Sequence, residues 1–316
     1  MSLVRRLLEI DDLDRAQFSG LIEHAIVWKR DPASLPRVLE GHAVALLFEK
    51  PSARTRVSTE IAVHTLGGQP VVMRGREVDL GVRESVEDVA RVLGGYCSVI
   101  AARVFDHGAL EAMSVAVETP IVNLLSDRAH PCQALADFLT LREHFGVLEG
   151  RRLTYVGDGN NVAASLAFGA ALAGVELTVA TPVGYELDED VVARVRNLGG
   201  ALEQSNDPHE AVRGADAVYT DVWTSMGQEG EAEARRAAFA GFGVDAALMA
   251  AAGPGAVFMH CLPAHRGEEV SADVIDGPAS LVWEQAANRM HSVRSLLASL
   301  DVRPAEPGGR RRAPGG

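Results

Sequence analysis

The residues of this chain that could do chemistry fall in short polar clusters, each placed directly after an apolar run. The first is SARTR at 52–56, following ALLFEKP. Ser52 at a helix start would leave the free N–H groups of the first turn and the positive end of the helix dipole facing outward, an arrangement that favours an anion. Arg54 adds a forked guanidinium suited to phosphate or carboxylate, and Ser52 and Thr55 add hydroxyls. Two arginines two positions apart cannot share one helix face, so Arg56 is expected to brace the loop through Glu49 or Glu60. A capped surface helix with solvated arginines is the competing reading. Arg103 closes the apolar run SVIAA and is a candidate ligand group or a rim arginine. In SDRAHPCQ, His130 precedes a proline and is held extended outside a helix start, with Gln133 one turn in. A histidine there can donate to a developing oxyanion, and the helix dipole would keep it neutral; a capping histidine beside a buried glutamine is the alternative.

Two further clusters lie in the second half. GDGNN at 157–161 has two glycines of a dinucleotide-binding turn, but Val162 stands where the third belongs and no acid ends the following LTVATP run. A nicotinamide cofactor is therefore disfavoured, and Asn160 and Asn161 offer amides at a strand-to-helix turn. Asp221, in DVWTSMG, could pair with a cationic amine, and Ser225, Met226 and Gly227 form a small loop able to close over a ligand. His260 and Cys261 precede Leu262 and Pro263. No second Cys/His pair lies at zinc spacing, and neighbours on a strand point to opposite faces, so neither a metal site nor a Cys–His dyad is favoured.

The elements that position these clusters alternate. Strand-like runs at HAVALLFE, QPVVM, SVIAARV and PIVNLLS are separated by helical segments, including SARTRVSTEIAVHTLGG, ESVEDVARVLGG and HPCQALADFLTLREHFG. A second series runs through RLTYVGD, ELTVAT, AVYTDVW and AVFMHCLP, with helices such as NVAASLAFGAALAG and EDVVARVRNLGG, and SLVWEQAANRMHSVRSLLASL closes it. The fold class is α/β: two domains, each a mainly parallel sheet covered by helices. In such sheets ligands bind beyond the carboxyl ends of the strands, where the polar clusters stand.

At 316 residues the length fits two domains, and 47% hydrophobic with 23% charged residues is ordinary for a globular chain. A net charge of −13 argues against nucleic acid or an anionic membrane as partner, though a local arginine cluster can still take a small anion. No apolar run of about 18 residues appears, and the start is too acidic for a signal or transit peptide. Three scattered cysteines fit reduced thiols, so a cytoplasmic location is expected.

Taken in order, SARTR, HPCQ, GDGNN, DVWTSMG and HCLP resemble the aspartate/ornithine carbamoyltransferase family, the last three pointing to its ornithine branch. The likeness runs from about residue 41 to 298. The Pro/Gly/Arg-rich end RPAEPGGRRRAPGG predicts a disordered tail at 301–316. The resemblance implies a carbamoyl-phosphate-binding domain at 1–140, an ornithine-binding domain at 141–285, and a C-terminal helix at 286–300 packing back on the first domain. It also implies transfer of the carbamoyl group to the δ-amine of ornithine, with a carbamoyltransferase for putrescine or N-acetylornithine as the alternative. A homotrimer, or a multiple of trimers, is the implied assembly, and no metal or organic cofactor is called for. Ser52, Ala53, Arg54, Thr55 and Arg103 match the phosphate site; His130, Gln133, Cys261, Leu262 and Arg289 match the groups that hold the carbamoyl moiety. Asn161, Asp221, Ser225 and Met226 match ornithine contacts, and Arg103, His130 and Cys261 are the implied catalytic groups. Two positions depart: Asp79 where the family has Gln or His reaching a neighbouring subunit, and Ala287 where it often has Glu.

Overall fold

The computed structural model describes residues 4–75, 80–224 and 229–303. The first series comprises α1 (Arg15–Arg30), β1 (Ala43–Phe48), α2 (Ala53–Thr65), β2 (Gln69–Arg74), α3 (Val86–Tyr96), β3 (Val99–Arg103), α4 (His107–Ala116), β4 (Ile121–Leu125) and α5 (Pro131–Phe145). The second begins with β5 (Arg152–Val156), α6 (Asn161–Ala173), β6 (Glu176–Ala180), α7 (Glu189–Asn197), β7 (Leu202–Ser205) and α8 (Pro208–Ala211). It continues with β8 (Ala217–Thr220), α9 (Ala232–Ala238), α10 (Ala246–Ala252), β9 (Val257–His260), α11 (Ala272–Ile275) and α12 (Val282–Ala298). Two compact units result, residues 1–135 with 289–316, and residues 136–288.

The first unit holds a parallel sheet in the order β2-β1-β3-β4. Its inner strands read as continuous apolar runs because helices cover both faces, and β1 and β3 are buried almost end to end. Between β1 and β3 the strand order reverses direction, which leaves a crevice outside their carboxyl ends. Register pairs Phe48 with Arg103 at that point, and a register shift between Ala102 and Arg103 interrupts the ladder to β4. Such an irregularity re-aims the side chain at the end of a strand. The last turns of α12 belong to this unit: Ser295 Oγ donates to the carbonyl of Leu21 at 2.6 Å and an Arg294 Nη2 to that of Trp28 at 3.1 Å, fastening the helix to α1.

The second unit holds a parallel sheet in the order β7-β6-β5-β8-β9, whose reversal lies between β5 and β8. Helix α6 is buried from Val162 to Leu172, as its unbroken small and apolar sequence requires, and Gly174 ends it in the left-handed conformation.

Six elements escape the sequence reading, α1, α4, β7, α8, α9 and α11, and three of them show separate reasons. β7, LEQS, is a half-exposed polar edge strand held only by its pairing with β6. α1 is announced by an Asp14–Gln17 capping box rather than by a strand–helix alternation, and α4 by Asp106, which accepts from the N–H of Gly108. Among the described residues, no helix is long and apolar enough to cross a membrane.

Candidate active site

In the first unit, Ser52 caps α2 as expected, its Oγ accepting from the N–H of Thr55 at 3.3 Å. Ala53 and Arg54 follow in the exposed first turn, where helical N–H groups have no intrahelical acceptor. Arg56 turns away to Glu60, with Nη1 3.5 Å from Oε1, while Glu49 accepts from the N–H of Phe105 instead. Thr55 is buried, and its Oγ1 accepts from Nη2 of Arg289 at 2.8 Å. The other end of the same guanidinium donates to Gln133 Oε1 at 2.7 Å, so one buried arginine ties α2, α5 and α12 together.

His130 stands just before α5, whose first residue is Pro131, and its carbonyl accepts from the N–H groups of Gln133 and Ala134. Burial is the main cause that drives its imidazole pKa well below 6.5, and the charges of Arg289, Arg103 and Arg54 push it the same way. The ring is therefore neutral at pH 7. The sequence reading reached neutrality through the helix dipole; desolvation and three nearby guanidiniums are the physical reason. Three cations around one neutral, buried imidazole can take a multiply charged anion.

Just before His130 in the chain, Ala129 joins a hydrogen-bonded network that the sequence motifs do not reveal. Asn123, inside β4, donates to the carbonyl of Leu8 at 2.8 Å and to Ser126 Oγ at 3.2 Å. Ser126 Oγ accepts from the N–H of Ala129 and lies 2.8 Å from Nδ1 of the buried His107. An asparagine within the apolar run PIVNLLS was the available signal, since a buried amide must find partners.

The second unit presents its own cluster at the reversal between β5 and β8. Gly157 has φ 151°, and a Cβ on Gly159 would sit 2.5 Å from the carbonyl carbon of Glu186. The second glycine thus admits the protein's own 182–187 segment, not a pyrophosphate. Asn160 caps α6, its Oδ1 accepting from Val162 and Ala163, which commits Nδ2 to Asp221 Oδ2 at 3.0 Å. Asp221 Oδ1 accepts from the N–H of Val222 at 2.8 Å and from Cys261 Sγ at 2.9 Å. The carboxylate is 5% exposed and, among the described residues, has no ion-pair partner. A buried carboxylate satisfied only by neutral donors is a receptor for a cation.

Asn161 is the first residue of α6 and half-exposed, so the amide that reaches Asp221 is that of its neighbour, Asn160. Leu262 follows Cys261 with φ 58° and a cis peptide to Pro263. Arg235 braces this unit: it pairs with Asp158 of the GDGNN turn and its Nε donates to the carbonyl of Trp223 at 2.7 Å. Nothing in the motif spacing pointed to Arg235. Asp221, His260 and Cys261 bring donor atoms within 4.8 Å of one another, yet each is already engaged by a protein partner. Ala287 is exposed, and Asp79, Ser225 and Met226 lie outside the described residues, as do 304–316 of the expected tail.

Comparison with known proteins matches residues 5–143 to the carbamoyl-P binding domain and residues 149–300 to the Asp/Orn binding domain of aspartate/ornithine carbamoyltransferases. The chain belongs to this family. It is 49% identical over 302 residues to an ornithine carbamoyltransferase of Acidothermus cellulolyticus, covering 94% of this chain and 97% of the relative. Against the structure of the ornithine carbamoyltransferase from Pyrococcus furiosus the TM-score is 0.90 at 45% identity, covering 94% of this chain and 97% of that one. The Thermus thermophilus ornithine carbamoyltransferase gives a TM-score of 0.86 at 44% identity, covering 94% and 98%. Within the family, Arg54, Arg103 and His130 fall in the part matched to the carbamoyl-P binding domain, and Arg289 and the Asp221 cluster in the part matched to the Asp/Orn binding domain.

Proposed function

We propose that this protein is an ornithine carbamoyltransferase, moving the carbamoyl group of carbamoyl phosphate to the δ-amine of L-ornithine to give L-citrulline and phosphate. The observation that carries the reading is the buried Asp221 carboxylate, which no cation satisfies among the described residues. It suits an acceptor with an ammonium group and opposes a dicarboxylate acceptor such as aspartate. The ornithine carbamoyltransferase names of the relatives support the same branch.

The steps follow from the side chains. Arg54, with the Ser52–Ala53 turn, stabilises charge on the leaving phosphate. Thr55, Arg103 and neutral His130 donate to the carbamoyl oxygen as it becomes an oxyanion, and losing one such donor typically costs about 10²–10³ in rate. Gln133, whose Oε1 accepts from Arg289, is assigned to orient the carbamoyl N–H₂, and the Leu262 carbonyl is assigned the same task. Asn161, Asp221, Ser225 and Met226 are assigned to ornithine. An amine with a lysine-like pKa of about 10.4 costs roughly 4–5 kcal/mol to neutralise at pH 7. Asp221 favours its charged form and so serves binding, not deprotonation. Cys261, whose thiol donates to Asp221, orients that carboxylate. Phosphate is a good leaving group, so the transfer itself calls for no cofactor.

A homotrimer, or a multiple of trimers, in the cytoplasm completes the proposal. The anabolic designation of the Pyrococcus furiosus relative, 46% identical over 300 residues, supports the biosynthetic direction. Phosphate release and citrulline formation, followed with ornithine, putrescine and N-acetylornithine as acceptors, test the reading. Ornithine is expected to have the highest kcat/KM by a wide margin; no turnover with it, or a preference for either other amine, overturns the assignment.

A further inference from the structure

His260, the last residue of β9, is fully buried, and both of its ring nitrogens meet protein groups. Nδ1 accepts from the N–H of Leu262 at 2.9 Å, two residues along its own chain. A neutral imidazole that accepts at Nδ1 must carry its proton on Nε2. On that side, Nε2 lies 3.3 Å from Oε1 of Glu269, a carboxylate that is likewise fully buried. The same oxygen also accepts from the N–H of His265 at 2.5 Å. The backbone of His260 is pinned separately, its N–H donating to Gln285 Oε1 at 2.9 Å, and Gln285 Nε2 donating in turn to Asp137 at 2.6 Å.

Leu262 needs this support. It is the only non-glycine among the described residues with positive φ, at 58°, and a left-handed residue with a branched side chain holds that conformation only when its surroundings over-determine it. Hydrophobic packing of its side chain against the core of the second unit is one constraint. The hydrogen bond from its N–H to His260 is the other, and it sets the peptide plane from which the Leu262 carbonyl projects. Cys261 lies between the two and sends its thiol to Asp221.

We infer that Glu269 and His260 are positioning residues for carbamoyl transfer: Glu269 holds the proton of His260 on Nε2, leaving Nδ1 free to fix the Leu262 peptide and so to aim its carbonyl at the carbamoyl amide. This rests on the role of Leu262 proposed above. Neither residue touches substrate; each acts through the backbone of the next.

Two isosteric substitutions separate the roles of the ring nitrogens. His260→Asn places an amide oxygen near Nδ1, where an asparagine readily accepts from the N–H two residues on. His260→Gln keeps a polar group near Nε2 and loses the acceptor for Leu262. Citrulline kinetics are expected to show His260→Asn within about threefold of wild type in kcat and His260→Gln reduced by about thirtyfold or more. Both should leave KM for carbamoyl phosphate within about threefold, because the phosphate is assigned to Arg54 and the Ser52–Ala53 turn. Equal kcat for the two variants, or a loss confined to KM, overturns the inference. Glu269→Gln, which retains an acceptor for Nε2–H, should keep most of the activity that Glu269→Leu loses; equal losses count against it. Should these variants not fold, ¹⁵N NMR of histidine-labelled wild-type protein decides, an Nε2–H tautomer at His260 being expected and an Nδ1–H tautomer refuting it. Wild-type protein inactive with ornithine would instead sink the proposed function, an outcome distinct from active protein in which Asn and Gln at 260 behave alike.

Discussion

Asp221→Asn separates binding from folding more cleanly than any other change in this protein. The substitution keeps shape and removes charge. At an effective dielectric constant of about 20, an ammonium roughly 4 Å from the carboxylate gains about 4 kcal/mol, and charge-assisted hydrogen bonds in proteins retain about 1.5–3 kcal/mol net of desolvation. Taking the middle of that range, kcat/KM for ornithine should fall by about 40-fold, at 1.4 kcal/mol per factor of ten. Stability should respond quite differently. An amide oxygen at Oδ1 still accepts from Val222 N–H and Cys261 Sγ, but the new NH₂ group faces Nδ2 of Asn160. Asn160 cannot rotate to present its oxygen, which caps α6 through Val162 and Ala163. That donor–donor contact costs about 1–2 kcal/mol, and relief from burying an unpaired carboxylate offsets an amount of the same order. The melting temperature should therefore stay within about 5 °C of wild type, at roughly 2–4 °C per kcal/mol for a unit of this size. Steady-state citrulline assays at saturating carbamoyl phosphate, with a thermal melt on the same sample, make the comparison. A kcat/KM within threefold of wild type on a folded variant would remove Asp221 from the acceptor site.

Arg54→Ala and His130→Ala should each lower turnover by about 10²–10³ with little change in the melting curve, and full activity in either would discard its assigned role. The folded protein holds the His130 pKa well below 6.5, so the unfolded chain takes up that proton first as the pH drops. Its contribution to stability is thus complete above the unfolded value and lost as the pH falls below it. His130→Gln should accordingly flatten the decline of melting temperature on the acid side of about pH 6.5, and parallel wild-type and variant curves would contradict this. Gly169→Ala should destabilise by about 1–3 kcal/mol, since the added Cβ meets the ring of Phe138 inside the second unit; an unchanged urea midpoint would show that the ring yields freely.

Much of the site was legible as residue types at strand ends. A serine before a helix, an arginine closing a buried run and a histidine before a proline each carry a local reason for their place, and the structure puts Ser52, Arg103 and His130 in those places. Local reasons could not say which of them share a ligand. Asn123, Arg235, Gln285 and Glu269 were invisible for a different cause: each acts on a neighbour of the site through hydrogen bonds to partners that no motif marks. Asn161 shows the finer limit, because adjacent asparagines look alike in sequence and only the cap geometry commits Asn160 to Asp221.

From its order of residues alone this chain determines where strands end, where helices are capped and where charge is held at those ends, because hydrophobic alternation and capping act over a few residues. Only the tertiary structure decides that Arg54, Arg103 and Arg289 act on one buried imidazole, and that Asp221, among the described residues, faces neutral donors alone. Strand order decides which ends become neighbours, and burial decides how strongly a charge there is felt. Both depend on the assembled sheet, not on any segment of it.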